Sequence, residues 1–242
     1  GGLELATLVF MNLQEDEAGD VEIKGVRYSE MPLQIIDTGY GLERFCWAAA
    51  GTPTIYEAIY PETVSWLREL SSFDTRLSAL GDVDVDLLLA ELSRLAGILN
   101  IDVGTDVDAL YVRLIERLSE RNVTLDVDTL KSITEPLSSI YAIPDHMHAL
   151  CNMLGDGLVP SNAKAGYLAR MMARRACRMK DDIGLKIGLE EIGAHHIDVN
   201  MSGTIEPRSR QNILTILALE ESRYREMLRA GQAAVRTAFK DI

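Results

Sequence analysis

Cysteine is scarce in this chain of 242 residues: there are three, Cys46, Cys151 and Cys177, widely spaced and without a Cys-x-x-Cys pair. An odd, scattered set fits reduced thiols and argues against a disulfide framework or a cysteine zinc site. No run of about 20 apolar residues occurs and no charged-then-apolar leader precedes a cleavage site, so a soluble, cytoplasmic protein is expected. A Gly-Lys-Ser or Gly-Lys-Thr phosphate loop is also missing, and Gly51-Thr52-Pro53 reads as a helix-breaking loop. The initiating Met is absent: Gly1-Gly2-Leu3-Glu4 leads straight into a strand pattern, which reads as an internal piece of something longer. Basic residues are outnumbered, 24 Lys and Arg against 37 Asp and Glu, and six of the 24 are Lys. A net charge of -13 argues against indiscriminate nucleic-acid binding.

What the chain does have is 47% hydrophobic residues, enough for the core of one large domain or two small ones. Residues 4–13, 21–28 and 32–36 read as antiparallel strands, the first two divided by the polar turn 15–20. From Gly41 onward the apolar period is helical, over 42–50, 55–70, 85–99, 107–120, 127–139, 145–154, 163–179, 183–192 and a long tail at 208–239. Thr105 with Asp106 and Asp108, Asp126 with Asp128, and Ser161-Asn162 supply start signals. The stretch 71–83 is the candidate loop between a small β-containing part and a helical part. The fold class expected is α+β, mainly α. In the tail, Leu217, Tyr224, Leu228, Gly231, Val235 and Phe239 make a narrow apolar stripe for packing, with Glu221 and Arg225 as a surface pair.

Two stretches carry candidate chemistry. In Asp37-Thr38-Gly39-Tyr40-Gly41-Leu42-Glu43-Arg44, a strand turns into a helix through two glycines, which lets a flat ligand approach the backbone between charges of opposite sign. The bland alternative is a helix-capping turn with Glu43 and Arg44 as solvated charges. The second stretch, 161–180, has six basic residues and no acid: Lys164, Arg170, Arg174, Arg175, Arg178 and Lys180. At 100° per residue, Arg170, Arg174 and Arg178 fall within an arc of about 80° beside Tyr167, while Leu168, Met172, Ala176 and Met179 fill the opposite, packing face. Cations repeating at about 6 Å suit a phosphate backbone. His146 and His148 in Asp145-His-Met-His point to different sides of a helix, so no closed zinc site is expected even with Cys151 nearby. Asp145 is as plausibly a helix N-cap as a site residue, and His195 and His196 read as ordinary residues at a helix end.

The spacing Gly-x-Gly-x-Glu-Arg resembles motif 3 of class II aminoacyl-tRNA synthetases, and the string Asp37 to Phe45 is similar to the archaeal alanyl-tRNA synthetase family. Leu5-Ala-Thr-Leu-Val-Phe-Met11 upstream and the string Asp-Gly-Leu-Val-Pro-Ser-Asn-Ala-Lys at 156–164, continuing to Arg175, agree in type and order. The resemblance implies that residues 1–70 are the C-terminal part of a class II catalytic domain and 71–242 a helical tRNA-recognition domain. It implies Arg44 as the catalytic residue, stacking on the adenine of ATP and reaching phosphate with Gly41 beside it. Asp37 would pair with the ammonium of alanine, Gly39 would keep the pocket small, and Val9 and Met11 would wall it. Asn162 would read the wobble G·U pair of the tRNA acceptor stem, with Lys164, Arg170, Arg174, Arg175 and Arg178 on the tRNA. The family often has Asp-His-x-Arg where this chain has His148 for the Arg, which leaves a role for Asp145, His146 and His148 open. ATP and Mg²⁺ would serve the intact enzyme, none being held tightly by this piece, which alone should not attach alanine to tRNA. The rival readings are a non-catalytic RNA-binding module or split subunit, and a helical interaction domain whose arginines meet an acidic protein.

Overall fold

In the computed structural model, which describes residues 3–78, 84–96, 107–121 and 123–239, Lys24 and Gly25 take positive φ of 53° and 82°. That is the backbone of a tight two-residue hairpin, and it joins β2 (Val21–Ile23) to β3 (Val26–Tyr40) with Ile23 opposite Val26. β1 (Ala6–Glu15) pairs antiparallel with the other edge of β3, giving the order β1-β3-β2. The separate strands expected at 21–28 and 32–36 are therefore corrected: the break lies at 24–25, and β3 runs on through Pro32. Pro32 is tolerated because it falls where the β1–β3 register shifts, between the pairs Met11–Ile35 and Leu13–Glu30, so no ladder bond is asked of its missing N–H.

The chain then becomes helical: α1 (Leu42–Ala50), α2 (Ile55–Ile59), α3 (Pro61–Leu70), α4 (Phe73–Ser78), α5 (Val85–Ala96), α6 (Val107–Ser119), α7 (Val127–Gly155), α8 (Lys164–Asp182), α9 (Leu189–Asn200) and α10 (Pro207–Ala238). The fold is α+β and mainly α. Pro61 splits the single helix expected at 55–70, since it starts α3 at its first position while Tyr60 leaves helical geometry. The loop expected at 71–83 contains α4, whose Phe73 and Leu77 are buried; residues 79–83 lie outside the described residues. The start signal at Thr105 and Asp106 also lies outside them, whereas Asp126 caps α7 by accepting from the Thr129 N–H at 2.7 Å.

α7 replaces two expected helices with one of 29 residues. The gap between them, 140–144, holds Ile140, Tyr141, Ile143 and Pro144, all buried, so this part of the helix is apolar all round and has no one-sided period to detect. α7 is the axis of the bundle: α3, α6, α8, α9 and α10 all pack against it. Ile133, Ile140, Met147 and Leu150 along it are fully buried, each contributing roughly 1.5–3 kcal/mol of apolar burial. The helix expected at 183–192 is displaced to α9, because Gly184 takes φ 74° and turns the chain while Ile183 and Leu185 plug into the core. His195 and His196 thus lie inside α9, not at its end, and Asp145 lies exposed within α7, not at an N-cap. In α10, Ile213, Leu217 and Tyr224 are buried, but Val235 and Phe239 of the expected stripe stand in water. Among the described residues no helix is long and apolar enough to cross a membrane.

α3, α7 and α9 meet over a histidine pair. His196 is fully buried, its Nε2 is 3.3 Å from His148 Nδ1, and the Tyr60 ring tilts against both. Asn200 reaches His196 Nδ1 at 3.3 Å and donates to Thr63 Oγ1 at 2.7 Å, while His195 stacks on Trp66 at 3.9 Å. Burial, reinforced by His148 and His195, pushes His196 from 6.5 down to about 3. The ring is thus neutral when folded but takes a proton below 6.5 when unfolded. The stability it contributes is complete above that pH and falls by about 1.4 kcal/mol per unit as pH drops from 6.5 toward 3. Urea midpoints at about pH 7 and about pH 4.5 are expected to differ more in the wild type than in His196→Gln. Equal pH slopes in the two proteins would refute this account.

Candidate functional site

The strand-to-helix junction is built from β1, β3 and the first turn of α1. Val9 stands opposite Asp37 and Thr7 opposite Gly39, so Val9, Met11, Asp37 and Gly39 share one face of the sheet. Gly39 is therefore a strand residue, and Gly41 alone makes the turn, which corrects the two-glycine turn read from the sequence. Gly41 donates its N–H to the Leu5 carbonyl at 3.0 Å, and a Cβ there would meet Arg44 Cδ at 3.0 Å. The bare backbone lets the Arg44 side chain fold back and donate from Nη1 to the Glu4 carbonyl at 2.8 Å. Nothing lies within 4 Å of where a Gly39 Cβ would be, so the face beside Asp37 is open. Arg44 and Asp37 are both exposed, as is Cys46 two residues further along α1. Cys151 and Cys177 are buried, and burial pushes both thiols up to about 12. The sheet is uncovered on both faces: Phe10 is 72% exposed and Leu33 70%.

Among the described residues no three of His, Cys, Asp and Glu come together as a metal set. The pair His148 and Cys151 does not form one either, since His148 is turned toward His196 and Cys151 into the core.

The second candidate surface is α8 with the loop before it. Ala163, not Ser161 or Asn162, is the N-cap residue. Ser161 Oγ accepts weakly from the Ala163 N–H at 3.4 Å and donates to its carbonyl at 2.9 Å. The Ser161 N–H donates to the Gly166 carbonyl, and a Cβ on Gly166 would lie 2.5 Å from the Val159 carbonyl oxygen. Glycine at that position allows the loop to lie against the helix. The packing face of α8 is Gly166, Ala169, Ala173, Ala176 and Cys177, small residues that admit close approach to α7. That corrects the face expected from Leu168, Met172, Ala176 and Met179: Leu168 is exposed, and only Ala176 of the four is fully enclosed.

The six cations of 161–180 divide. Lys164, Arg174, Arg175 and Arg178 are exposed, and Arg178 makes only a loose approach of 3.7 Å to Asp182. Arg174, Arg175 and Arg178 line a shallow pocket of about 230 Å³ with Tyr167, Arg170, Met171 and, from α10, Tyr224. Lys180 is buried, and Arg170 is tied into the protein while still bordering that pocket. Arg170 pairs with Glu220 at 3.0 Å and Lys180 with Glu221 at 2.6 Å, both acids coming from α10. The Glu221–Arg225 pair exists at 3.0 Å, but Glu221 is 14% exposed, so it belongs to this interior network rather than to the surface. Local sequence does not reveal the partner acids, because they lie 41 and 50 residues away. Their signal is positional: Glu220 and Glu221 sit between Leu217 and Tyr224, on the buried stripe of α10.

A family model described as tRNA synthetases class II (A) matches residues 1–242. Among curated relatives, the chain is 46% identical over 236 residues to an alanine-tRNA ligase of Methanothrix thermoacetophila, covering 97% of this chain and 25% of the relative. It is 43% identical over 235 residues to that of Archaeoglobus fulgidus, covering 97% and 25%, and 42% identical over 233 residues to that of Methanococcoides burtonii, covering 96% and 24%. The chain spans about a quarter of the length of these relatives. It belongs to the class II tRNA synthetases (A).

Proposed function

We propose that the chain is the part of an alanine-tRNA ligase that joins one side of the amino-acid and ATP site to the reader of the tRNA acceptor stem. The observation that carries the reading is the row of outward guanidinium groups, Arg174, Arg175 and Arg178, on the helix that follows the exposed Asn162, in a chain that is acidic elsewhere. Cations without close internal partners favour a polyanion over packing. Residues 1–70 supply the catalytic-sheet portion and residues 71–242 the RNA-facing portion. Glu57, accepting from the Tyr141 hydroxyl at 2.9 Å, and Thr63, bonded to Asn200, link the two. A cytoplasmic setting goes with this reading.

In the intact enzyme ATP and Mg²⁺ would activate alanine for transfer to tRNA. The open sheet face fits the organic part of that chemistry. Asp37 supplies a carboxylate for the alanine ammonium, Val9 and Gly39 keep the space small, and Arg44 is a planar cation able to stack on adenine. Among the described residues no three metal-ligating side chains come together, and a magnesium ion held by one or two carboxylates and the ATP phosphates would need no such group. With the sheet open on both faces, this chain by itself is expected to bind RNA without charging it.

The reading is tested by fluorescence anisotropy with an alanine acceptor-stem minihelix carrying G·U and with its G·C variant. Salt-sensitive binding that prefers G·U by about tenfold, with the preference gone in Asn162→Ala, is the expected result. Equal affinity for the two minihelices would dispose of Asn162 as the reader, and salt-insensitive or absent binding would dispose of the RNA surface.

A further inference from the structure

Arg170 belongs by sequence with the RNA-facing cations, but every nitrogen of its guanidinium is already engaged within the protein. Nε donates to Glu220 Oε2 at 3.0 Å, Nη2 to Glu220 Oε1 at 3.3 Å and to the Pro160 carbonyl at 3.1 Å, and Nη1 to Asn162 Oδ1. Its side chain is 14% exposed and that of Glu220 3%. Glu220 is held in turn by Arg223 at 2.7 Å. Four of its five N–H groups are thus committed inside the protein, although its edge still borders the pocket lined by Arg174 and Arg178. Arg170 reaches from the bundle interior to the loop that presents Asn162.

We infer that Arg170 and Glu220 are positioning residues that orient the Asn162 amide toward RNA. A guanidinium only donates, so the amide atom facing it must be the oxygen. One lone pair of Oδ1 is used inward, and the two Nδ2 hydrogens are left facing away from Arg170. The loop therefore offers RNA a donor, suited to an acceptor on the shallow groove edge such as a pyrimidine O2, a purine N3 or a ribose 2′-oxygen. The loop is pinned twice, by Arg170 at Pro160 and Asn162, and by the close fit of Ser161 on Gly166. α10 thereby takes part in base reading through the hold of its Glu220 on Arg170. This inference rests on the assignment of Asn162 as the base reader.

Glu220→Gln and Arg170→Lys separate positioning from phosphate binding. Arg170→Lys keeps a cation against Glu220, so the fold is retained, but a single ammonium cannot span Glu220, Pro160 and Asn162 as the fork does. Both variants are expected to lose the roughly tenfold G·U preference, while affinity for the G·C minihelix and the slope of log Kd against log salt stay as in the wild type. A merely structural role would weaken both minihelices alike and lower the melting temperature in step. If Arg170 were a phosphate ligand, Glu220→Gln would keep the preference and strengthen binding by removing a competing acid, and Arg170→Ala would reduce the slope by about one. Either pattern overturns the inference and leaves Asn162 as reader. A wild type without G·U preference overturns both.

Discussion

Replacing Arg174 and Arg178 together by alanine is expected to weaken binding to the alanine acceptor-stem minihelix by about 100-fold and to lower the salt slope by about two. Both side chains project from the exposed face of α8, one turn apart, into the pocket shared with Tyr167. Each arginine taken off a phosphate removes a charge-assisted hydrogen bond and one released counterion, and the two removals compound. The fold is not at risk. Arg174 forms no ion pair with any described residue, and the Arg178–Asp182 pair is long and exposed on both sides, worth well under about 1 kcal/mol. Titrations at two salt concentrations decide the matter. Affinity and slope that remain at wild-type values would mean that this face of α8 does not meet RNA.

Truncating Glu221 to alanine is expected to cost about 3–5 kcal/mol of folding stability. Its carboxylate accepts from Lys180 Nζ at 2.6 Å, from the Leu189 N–H at 2.6 Å and from Arg225 Nη2 at 3.0 Å. Lys180 is 3% exposed and also donates to the Ile187 carbonyl, a neutral group, so removing Glu221 leaves a buried cation without its counter-charge and uncaps the first turn of α9. Burial alone would raise the Glu221 carboxyl, but Lys180, the Leu189 N–H and Arg225 outweigh it and hold the group below its ordinary 4.5. Its stabilisation is accordingly present above that value and lost as pH falls below it. Urea melts near neutral pH measure the cost. The paired replacement Lys180→Met with Glu221→Leu is expected to recover most of it, because the buried charge goes with its partner. A loss under about 1 kcal/mol in Glu221→Ala would show the network to be solvated.

Local pattern carries the reading of the fold wherever neighbours in sequence are neighbours in space. Asp126 announces α7, and the bounds of α1 follow from Gly41 before it and Gly51 after it, the latter in the left-handed conformation. Elements buried from all sides resist that reading, since Ile140, Tyr141 and Ile143 leave α7 with no polar face to mark a period. Ile183 and Leu185 mislead for another reason: they are apolar at helical spacing but straddle the turn at Gly184. In the candidate sites, the strand alternation that sets Val9 opposite Asp37 is legible. The fate of Arg170 and Lys180 is not, because it depends on acids two elements away. A basic segment without internal acids looks uniformly free until the fold brings Glu220 and Glu221 against it.

The contrast among the three thiols has a practical side. Nucleophilic attack needs a thiolate that a reagent can reach, and Cys151 and Cys177 are enclosed and held protonated, whereas Cys46 stands in water on α1. The unmutated chain thus behaves chemically as a one-thiol protein, with its reactive sulfur two positions along the helix from Arg44. A maleimide dye coupled there would sit beside Arg44 at the strand-to-helix junction and report on occupancy of the proposed adenine site, leaving the proposed RNA surface of α8 unlabelled.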